Sequence, residues 1–274
     1  MILGASHATL LSKDIKIDGK ELQKLGYSMS FMEDRVPNDK GKHSFLSYPS
    51  SYHSLALYRH KDGISIELII YDNFTNQLLP RFNALFDGNV PEGLQGNICE
   101  SRLRHDLDDM FDHPLQPFSW QTFGTKIWFN RKTICGNGLM ALILSVRDLG
   151  HSQKFWEKGL GCKLVKRGVA VTGRRWILES FKSPVKSWKL DIILVEDKDV
   201  DRRGVLDAVG FNCLSALTTN LKQDRLKLFD TGAEESTGEF ELEINNKVLV
   251  LEVFRGPDGE FIELLQVKSV GRKV

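Results

Sequence analysis

The sequence predicts an α+β fold built from repeated βαβββ modules. One short pattern recurs along the chain: an apolar strand, a polar helix, and further strands of which the last carries a carboxylate inside an apolar run. The composition is that of a globular protein, with 41% apolar side chains and 37 Lys plus Arg against 36 Asp plus Glu. A chain of 274 residues has room for about two domains with real cores.

The first copy of the pattern covers residues 5–72. It opens with the predicted strand HATLLSKDI (7–15) and continues through a helical GKELQKLG segment. Three strands are then predicted near YSMSFMED, HSLALYRH and ISIELIIYD. The turn signal Asp62-Gly63 joins the last two strands as a hairpin.

The second copy covers residues 139–197 and opens with ALILSVRDL (141–149). In the following GHSQKFWEKGLG, the apolar residues Phe155, Trp156 and Leu160 share one helix face, and Gly161 ends the helix. Strands are predicted at CKLVKRG, RRWILESF and WKLDIILVED. The second copy therefore repeats the βαβββ order of the first.

The third copy covers residues 209–267 and opens with CLSALTTNL (213–221). A helix is predicted over KQDRLKLFDTG, with Gly232 as its stop, and strands at GEFELEI, VLVLEVF and FIELLQV. Each predicted helix of the three copies begins at a polar residue, namely Asp14, Asp148 and Asn220. When the three copies are aligned on these residues, one position of the first strand is occupied by His7, Ala141 and Cys213.

The final strands of the three copies align on an acidic residue, namely Glu67, Asp191 and Glu263. A carboxylate in an apolar strand is costly unless it is paired, hydrogen-bonded or bound to a cation. An alternative interpretation is that these strands are half exposed and the acids face water. Recurrence of the acid at one register favours a buried, partnered role.

Charge and targeting signals limit the class of function. A net charge of +1 provides no general attraction to nucleic acid or to anionic membranes, so a small-molecule ligand or substrate is the expected partner. No secretion signal is visible, and the longest apolar runs are far shorter than the roughly 20 residues of a membrane helix. We therefore expect a cytoplasmic protein. Four scattered cysteines without a CxxC spacing predict reduced thiols.

Three segments, HATLLSKDI, ALILSVRDLGHSQKFWEKGLGCKLV and FRGPDGEFIELLQV, resemble the vicinal oxygen chelate superfamily. That superfamily includes glyoxalase I, methylmalonyl-CoA epimerase, extradiol dioxygenases, and the fosfomycin and bleomycin resistance proteins. The most specific part is Pro257-Asp258-Gly259 followed by Ile262-Glu263-Leu264, which resembles the family's final hairpin and its metal-bearing glutamate. The resemblance covers residues 5–72 and 139–267.

The resemblance implies two curved mixed sheets, each made from a pair of modules in a glyoxalase-like domain. We expect an N-terminal domain over residues 1–138, with the module at 5–72 and a degenerate half at 73–138. That half is predicted to hold a helix near NQLLPRFNALF, a strand at TKIWFNR, and an irregular segment at 87–119 that could cover a pocket. The C-terminal domain, 139–274, would pair the second and third copies.

The resemblance also implies a divalent metal ion held by imidazole and carboxylate groups, and the candidate metal ligands are His7, Glu67 and Glu263. His7 and Glu67 occupy the family's His and Glu positions in the N-terminal domain, whereas the C-terminal domain retains only Glu263 of that set. Glu67 and Glu263 are in addition the candidate catalytic residues, as ligand or base. Ala141 cannot bind metal, and Cys213 is more often an apolar packing residue than a thiolate ligand. Copy one lacks a third metal ligand, and no spacing selects one among the four further candidate histidines: His53, His60, His105 and His113.

Two functional hypotheses follow. The first is a metal-dependent enzyme of lyase, isomerase or dioxygenase type that acts on a small oxygen-rich molecule. The second is a metal-free binding or resistance protein that uses the same concave sheet, and the residues Ala141 and Cys213 favour it. A scaffold for protein partners is a third hypothesis, and a homodimer is left open. The pair Arg174-Arg175 is either an anion contact in the cup or an exposed hairpin tip, of which we favour the tip.

Overall fold

The computed structural model describes residues 1–73, 81–99, 101, 103–111, 114–123, 125–130, 138–184, 189–201 and 204–268. Strands dominate and the helices are short, which confirms the α+β class. The helix over Leu221–Thr231 has 11 residues. Within the described ranges, no helix is both long and apolar enough to cross a bilayer.

Copy one folds in the predicted order of elements. Its strands and helix are β1 (Ile2–Leu11), α1 (Ile15–Lys24), β2 (Ser28–Pro37), β3 (Tyr52–Arg59) and β4 (Ser65–Tyr71). A short 3-10 helix over Lys40–Phe45 lies in the connection between β2 and β3. This connection matters below because it contributes a charged side chain to the site.

The middle segment forms β5 (Phe82–Asp87), β6 (Gly96–Ile98), α2 (Arg104–Phe111), β7 (Gln116–Trp120) and β8 (Thr125–Asn130). The strand predicted at TKIWFNR is confirmed as β8. The helix predicted near NQLLPRFNALF is wrong over residues 82–86, which form β5, and its residues 76–80 lie outside the described ranges. Four of the six residues of β5 are buried, and its apolar run at residues 84–86 shows no alternation that would distinguish a strand from a helix. The segment predicted to be irregular, 87–119, also contains regular elements.

Copies two and three contain the predicted strands and helices. Copy two consists of β9 (Leu139–Val146), α3 (Leu149–Lys154) with a π-helical extension over Phe155–Leu160, β10 (Lys163–Val169), β11 (Arg175–Lys182) and β12 (Lys189–Glu196). Copy three consists of β13 (Gly210–Thr218), α4 (Leu221–Thr231), β14 (Glu235–Ser236), β15 (Phe240–Ile244), β16 (Lys247–Arg255) and β17 (Phe261–Val267).

The first strand of every module lies parallel to its last strand. This holds for β1 with β4, β5 with β8, β9 with β12, and β13 with β17. The remaining strands of each module extend the sheet in antiparallel order beyond the last strand. The middle segment is therefore a fourth module, whose helix follows its second strand.

The modules pair differently from the prediction. In the structure β1 of copy one runs antiparallel to β13 of copy three, and β5 of the middle segment runs antiparallel to β9 of copy two. The predicted pairing of copy two with copy three is therefore wrong. Adjacency along the chain was a poor guide, because the outer modules meet each other while the inner two form the second pair. The boundary at residue 138 itself stays a prediction.

The predicted helix starts are confirmed by hydrogen bonds at the helix ends. The Asp14 carboxylate accepts from the backbone N–H groups of Lys16 and Ile17, and Asp148 and Asn220 play the same role for α3 and α4. The π-helical extension of α3 ends at Gly161, whose φ of 84° is left-handed, as a glycine there permits. Local sequence therefore determines these three helix starts.

Apolar side chains pack on both faces of the paired sheets. The largest cluster lies between the strands and the helices and contains residues of all four modules, including Leu22, Phe82, Trp156 and Phe211. A separate cluster fills the opposite face of the β5–β9 pair. It contains Leu107 and Met110 of α2 together with strand residues such as Trp128, Trp176 and Ile193. Trp120 and Trp128 are core residues.

The motif Pro257-Asp258-Gly259 has a structural role. The Asp258 carboxylate accepts hydrogen bonds from the backbone N–H of Arg147, at 2.9 Å, and from the Ser152 hydroxyl, at 2.5 Å. These contacts join the turn between β16 and β17 to the start of α3. A buried carboxylate with such donors fixes the orientation of one module pair against the other.

Glu179 is a buried acid on β11 for which we find no role in the site. Its side chain is fully buried, and neither carboxyl oxygen has a hydrogen-bond partner among the described residues. Burial raises the pKa of Glu179 to about 8, and the nearby Glu157 acts in the same direction. The folded protein therefore keeps this proton at neutral pH, whereas the unfolded chain loses it near pH 4.5.

We predict that this proton makes the protein less stable as pH rises from about 4.5 to about 8, because the folded state binds more protons than the unfolded state in that window. Glu179→Gln removes this titrating group. The free energy of unfolding of the variant minus that of the parent should therefore increase by roughly 1 kcal/mol for each pH unit in this window. Urea titrations at several pH values measure it. Glu92→Gln, at an exposed acid, is the control, and a pH-independent difference for Glu179→Gln would contradict the interpretation.

Candidate functional site

The concave face of the β4–β1–β13–β17 sheet encloses a cavity of about 430 Å³. We call this face, with the strands of copies one and three that surround it, the first cup. Its walls are mostly aliphatic, with side chains such as Leu55, Ile69, Leu206 and Leu251. Size and lining match the usual small-molecule site, which is apolar with a few polar groups.

Strand register explains which polar groups enter the first cup. Across the four strands, one row of neighbours is Ser65, His7, Ser215 and Glu263. The row two residues further along β1 is Glu67, Thr9, Cys213 and Phe261. Because side chains alternate between sheet faces, both rows point into the same cup. Two carboxylates thus flank one imidazole, although they lie far apart in the sequence.

The three predicted site residues converge. His7 Nε2 lies 3.7 Å from a carboxylate oxygen of Glu67 and 3.9 Å from one of Glu263. The three side chains are between 10% and 14% exposed, so they face the cavity without being open to bulk water. Nε2 of His7 is buried and has no hydrogen-bond partner among the described residues. A buried nitrogen in this position needs a partner, which can be a bound ion, a ligand atom or a hydrogen-bonding group.

Hydroxyl groups orient these side chains. The Ser6 hydroxyl lies 3.2 Å from Nδ1 of His7, which is the contact that a ligating imidazole needs on its other nitrogen. The Thr9 hydroxyl donates to Glu67 at 3.3 Å, and the Ser215 hydroxyl donates to Glu263 at 2.7 Å. Each carboxylate is therefore held in place by a hydroxyl group from the first strand of its own module.

Burial sets the protonation of the groups around the imidazole. Burial raises the pKa of Glu67; the neighbouring His7 acts against this increase, and the neighbouring Glu263 adds to it. Burial also raises the pKa of the Cys213 thiol well above its usual range, and the two carboxylates add to that shift. Burial acts in the same direction on the pKa of the Tyr71 phenol. Cys213 is consequently a neutral thiol at neutral pH and a poor metal ligand in this state.

Asp191 and Ala141 lie elsewhere. They are neighbours on β12 and β9, in the second module pair, where α2 and two tryptophans fill the hollow. Asp191 lies 3.6 Å from the Lys189 ammonium. Ala141 is beside Asp191 just as Thr9 is beside Glu67, so the predicted alignment of Ala141 with His7 is offset by two residues. Ala141 thus offers Asp191 no hydroxyl from the first strand, and Asp191 instead has a hydrogen bond with the Ser180 side chain of β11.

Of the four further histidines, His53 lines the first cup. His60 is buried elsewhere, with its ring centroid 4.9 Å from that of Tyr27. The side chain of His105 and all of His113 lie outside the described residues. Burial lowers the pKa of His53 to about 3, and the Lys42 ammonium adds to this shift, so His53 is neutral at physiological pH.

The arginine pair Arg174-Arg175 does not reach the first cup. Arg174 lies 3.4 Å from Asp106 and 3.7 Å from Asp197, and Arg175 pairs with Glu196. Arg174 therefore ties α2 to the β10–β11 hairpin. The exposed-hairpin interpretation holds for Arg175, whereas Arg174 has a structural ion pair.

Sequence reasoning missed several groups that line the cup. Lys42, on the 3-10 helix of copy one, is 5% exposed and lines the cavity, and Tyr71 closes the same wall from the end of β4. Ser6, Thr9 and Ser215 could have been found from strand register, because they precede or face the predicted residues. Lys42 carried no such signal, since it lies in an irregular connection.

The donor set can be compared with the requirements of a divalent metal ion. One imidazole nitrogen and two carboxylates are suitable ligands, and the two nitrogen–oxygen separations are below about 4.2 Å, twice a usual ligand bond length. As the side chains stand, however, no group of three or more His, Cys, Asp or Glu among the described residues is arranged to hold a metal ion. Ligand type and the unpaired nitrogen fit such an ion, whereas a finished coordination sphere is not built.

Comparison with known proteins defines the fold. No protein-family model and no curated protein matches the sequence. Among solved structures, glyoxalase I from Zea mays is 14% identical with a TM-score of 0.62, over 96% of this chain and 92% of that one. A mutant of the same enzyme gives 13% identity and a TM-score of 0.65 over the same shares.

A candidate dioxygenase from Bacillus subtilis is 12% identical with a TM-score of 0.58, and the match covers 97% of this chain and 85% of that one. Identities at this level show the fold and leave the reaction open. Nearly full coverage of both chains includes the middle segment, which the sequence resemblance did not reach. The chain therefore has an α+β glyoxalase-like fold, as in these solved structures.

Proposed function

We propose that the first cup is a divalent-metal site of an enzyme that acts on a small oxygen-rich molecule. The observation that supports this proposal is the convergence of His7, Glu67 and Glu263 from three strands onto one cavity, with Nε2 of His7 buried and unpaired. His7 and the two glutamates would hold the ion. When bound, the ion would supply Lewis-acid polarisation of a substrate oxygen.

The chain's own groups would position the substrate and move a proton. Glu67 is our candidate base, because burial in the cup raises the pKa of its carboxyl group and so favours its uptake of a proton. Glu263, held by the Ser215 hydroxyl, would keep its orientation as a ligand. The apolar walls exclude water from the reacting oxygens. Lyase, isomerase and dioxygenase chemistry all remain compatible with this set.

The metal proposal predicts that the purified protein binds one Co²⁺ ion and that His7→Ala lowers this affinity by at least about a hundredfold, because a neutral methyl replaces the sole imidazole ligand. Isothermal titration calorimetry measures the affinity, and the visible absorption of Co²⁺ reports its coordination. His151→Ala, at an exposed histidine on α3, is the matched control. A wild-type chain without Co²⁺ binding, or one whose binding survives His7→Ala, contradicts the proposal.

A second prediction concerns the hydroxyl that holds Glu263. Ser215→Ala removes the 2.7 Å hydrogen bond to the carboxylate and should weaken Co²⁺ binding by roughly tenfold or more, with less effect than His7→Ala. The same titration measures it, with Ser44→Ala, at an exposed serine outside the cup, for comparison. Unchanged affinity in Ser215→Ala would contradict this orienting role of the Ser215 hydroxyl.

A specific observation favours a second function, metal-free binding of a small molecule. The described residues provide no finished metal centre, and Cys213 occupies the place on β13 that is equivalent to His7 on β1, two residues before the one that faces the acid. In this case a ligand should raise the thermal midpoint in the presence of chelator, by mass action on the folded state. Loss of ligand stabilisation on addition of chelator would contradict this alternative and support the metal enzyme.

A further inference from the structure

Lys42 presents a buried charge to the first cup. Its side chain lies on the cavity wall and is 5% exposed. Its ammonium sits 5.1 Å from the centroid of the Phe240 ring, and no hydrogen bond or ion pair joins it to another described residue. A cation removed from water without an anion is unfavourable, and a single aromatic face offsets only part of that cost. Lys42 therefore has capacity for an anionic partner.

The carboxylates of the cup do not provide this partner. Glu67 and Glu263 lie near His7 and accept from Thr9 and Ser215, and neither forms an ion pair with Lys42. Lys42 is close enough to influence both Glu67 and His53 electrostatically. Lys42 thus faces the same space as the proposed ligands, while its ammonium has no ion-pair partner in the part of the chain that the structure describes.

His53 adds a polar atom beside this charge. It is 2% exposed, lines the cavity, and its Nδ1 has no hydrogen-bond partner among the described residues. Two other cations, Arg59 and Lys247, also line the cavity, but both are exposed to solvent. Lys42 and His53 are therefore two buried polar side chains of the cavity lining, most of which is aliphatic.

We propose that Lys42 and His53 form an anion-binding subsite, and that the ligand of the first cup is a small carboxylate with an apolar body. One carboxylate oxygen would accept from the Lys42 ammonium in a charge-assisted hydrogen bond, next to the His53 imidazole. The apolar body would pack on the aliphatic walls. This inference rests on the proposed use of the first cup as a ligand site, but it does not require the metal.

Salicylate and its neutral amide, salicylamide, test the subsite because they share shape and differ in charge. The full chain, freed of metal with chelator, is titrated with each compound by calorimetry near neutral pH. We expect salicylate to bind at least about tenfold more tightly than salicylamide, the contribution of one charge-assisted hydrogen bond in a buried site. Equal affinities, or no detectable binding of salicylate, would overturn the proposal.

Variants assign the preference to Lys42. Lys42→Met should abolish it, Lys42→Arg should keep it, and Lys247→Met, which removes a charge at the exposed rim, should leave it unchanged. A preference that survives Lys42→Met would also overturn the proposal, and circular dichroism checks that each variant folds. Titration of the same samples with Co²⁺ separates the two claims: failure of the metal site leaves the carboxylate preference intact, whereas failure of the subsite leaves Co²⁺ binding intact.

Discussion

The antiparallel pairing of β1 with β13 is the contact on which both the fold and the site depend. It joins the first and last modules of the chain, opposes His7 to Ser215, and brings Glu263 to within 3.9 Å of His7. Each strand of this pair also has its own parallel partner, β4 or β17, which carries an acid. Loss of this pairing would separate the two halves of the candidate site and expose the apolar face beneath them.

The two module pairs have diverged in what fills their concave faces. In the pair made by the middle segment and copy two, α2 inserts Leu107 and Met110 among tryptophans, so that hollow is part of the core. In the pair made by copies one and three, the hollow stays open at about 430 Å³ and carries the polar residues. One pair thus contributes mainly stability and the other provides a binding cavity, a division that the duplicated fold allows.

Strand and helix positions were largely predictable, because period and capping residues are local signals: Asp14, Asp148 and Asn220 start their helices as expected. The repeat identified His7, Glu67 and Glu263 as candidates, but their convergence in one cup depends on the pairing of β1 with β13. Module pairing was not predictable, because it depends on contacts between strands about 200 residues apart. The apolar run in β5 does not alternate, so it carries no strand period and its sequence favours a helix. Lys42 was missed for a different reason, since an irregular connection places it in the cup.

The central claim is that His7, Glu67 and Glu263 form one metal-binding group inside the first cup. A crystal structure of the protein soaked with Co²⁺, with an anomalous difference map at the cobalt edge, tests it most directly. The account predicts one peak bonded to Nε2 of His7 and to both carboxylates, with the hydroxyls of Thr9 and Ser215 still on their acids. A cup without a peak, or a peak bound only by surface residues, would contradict it.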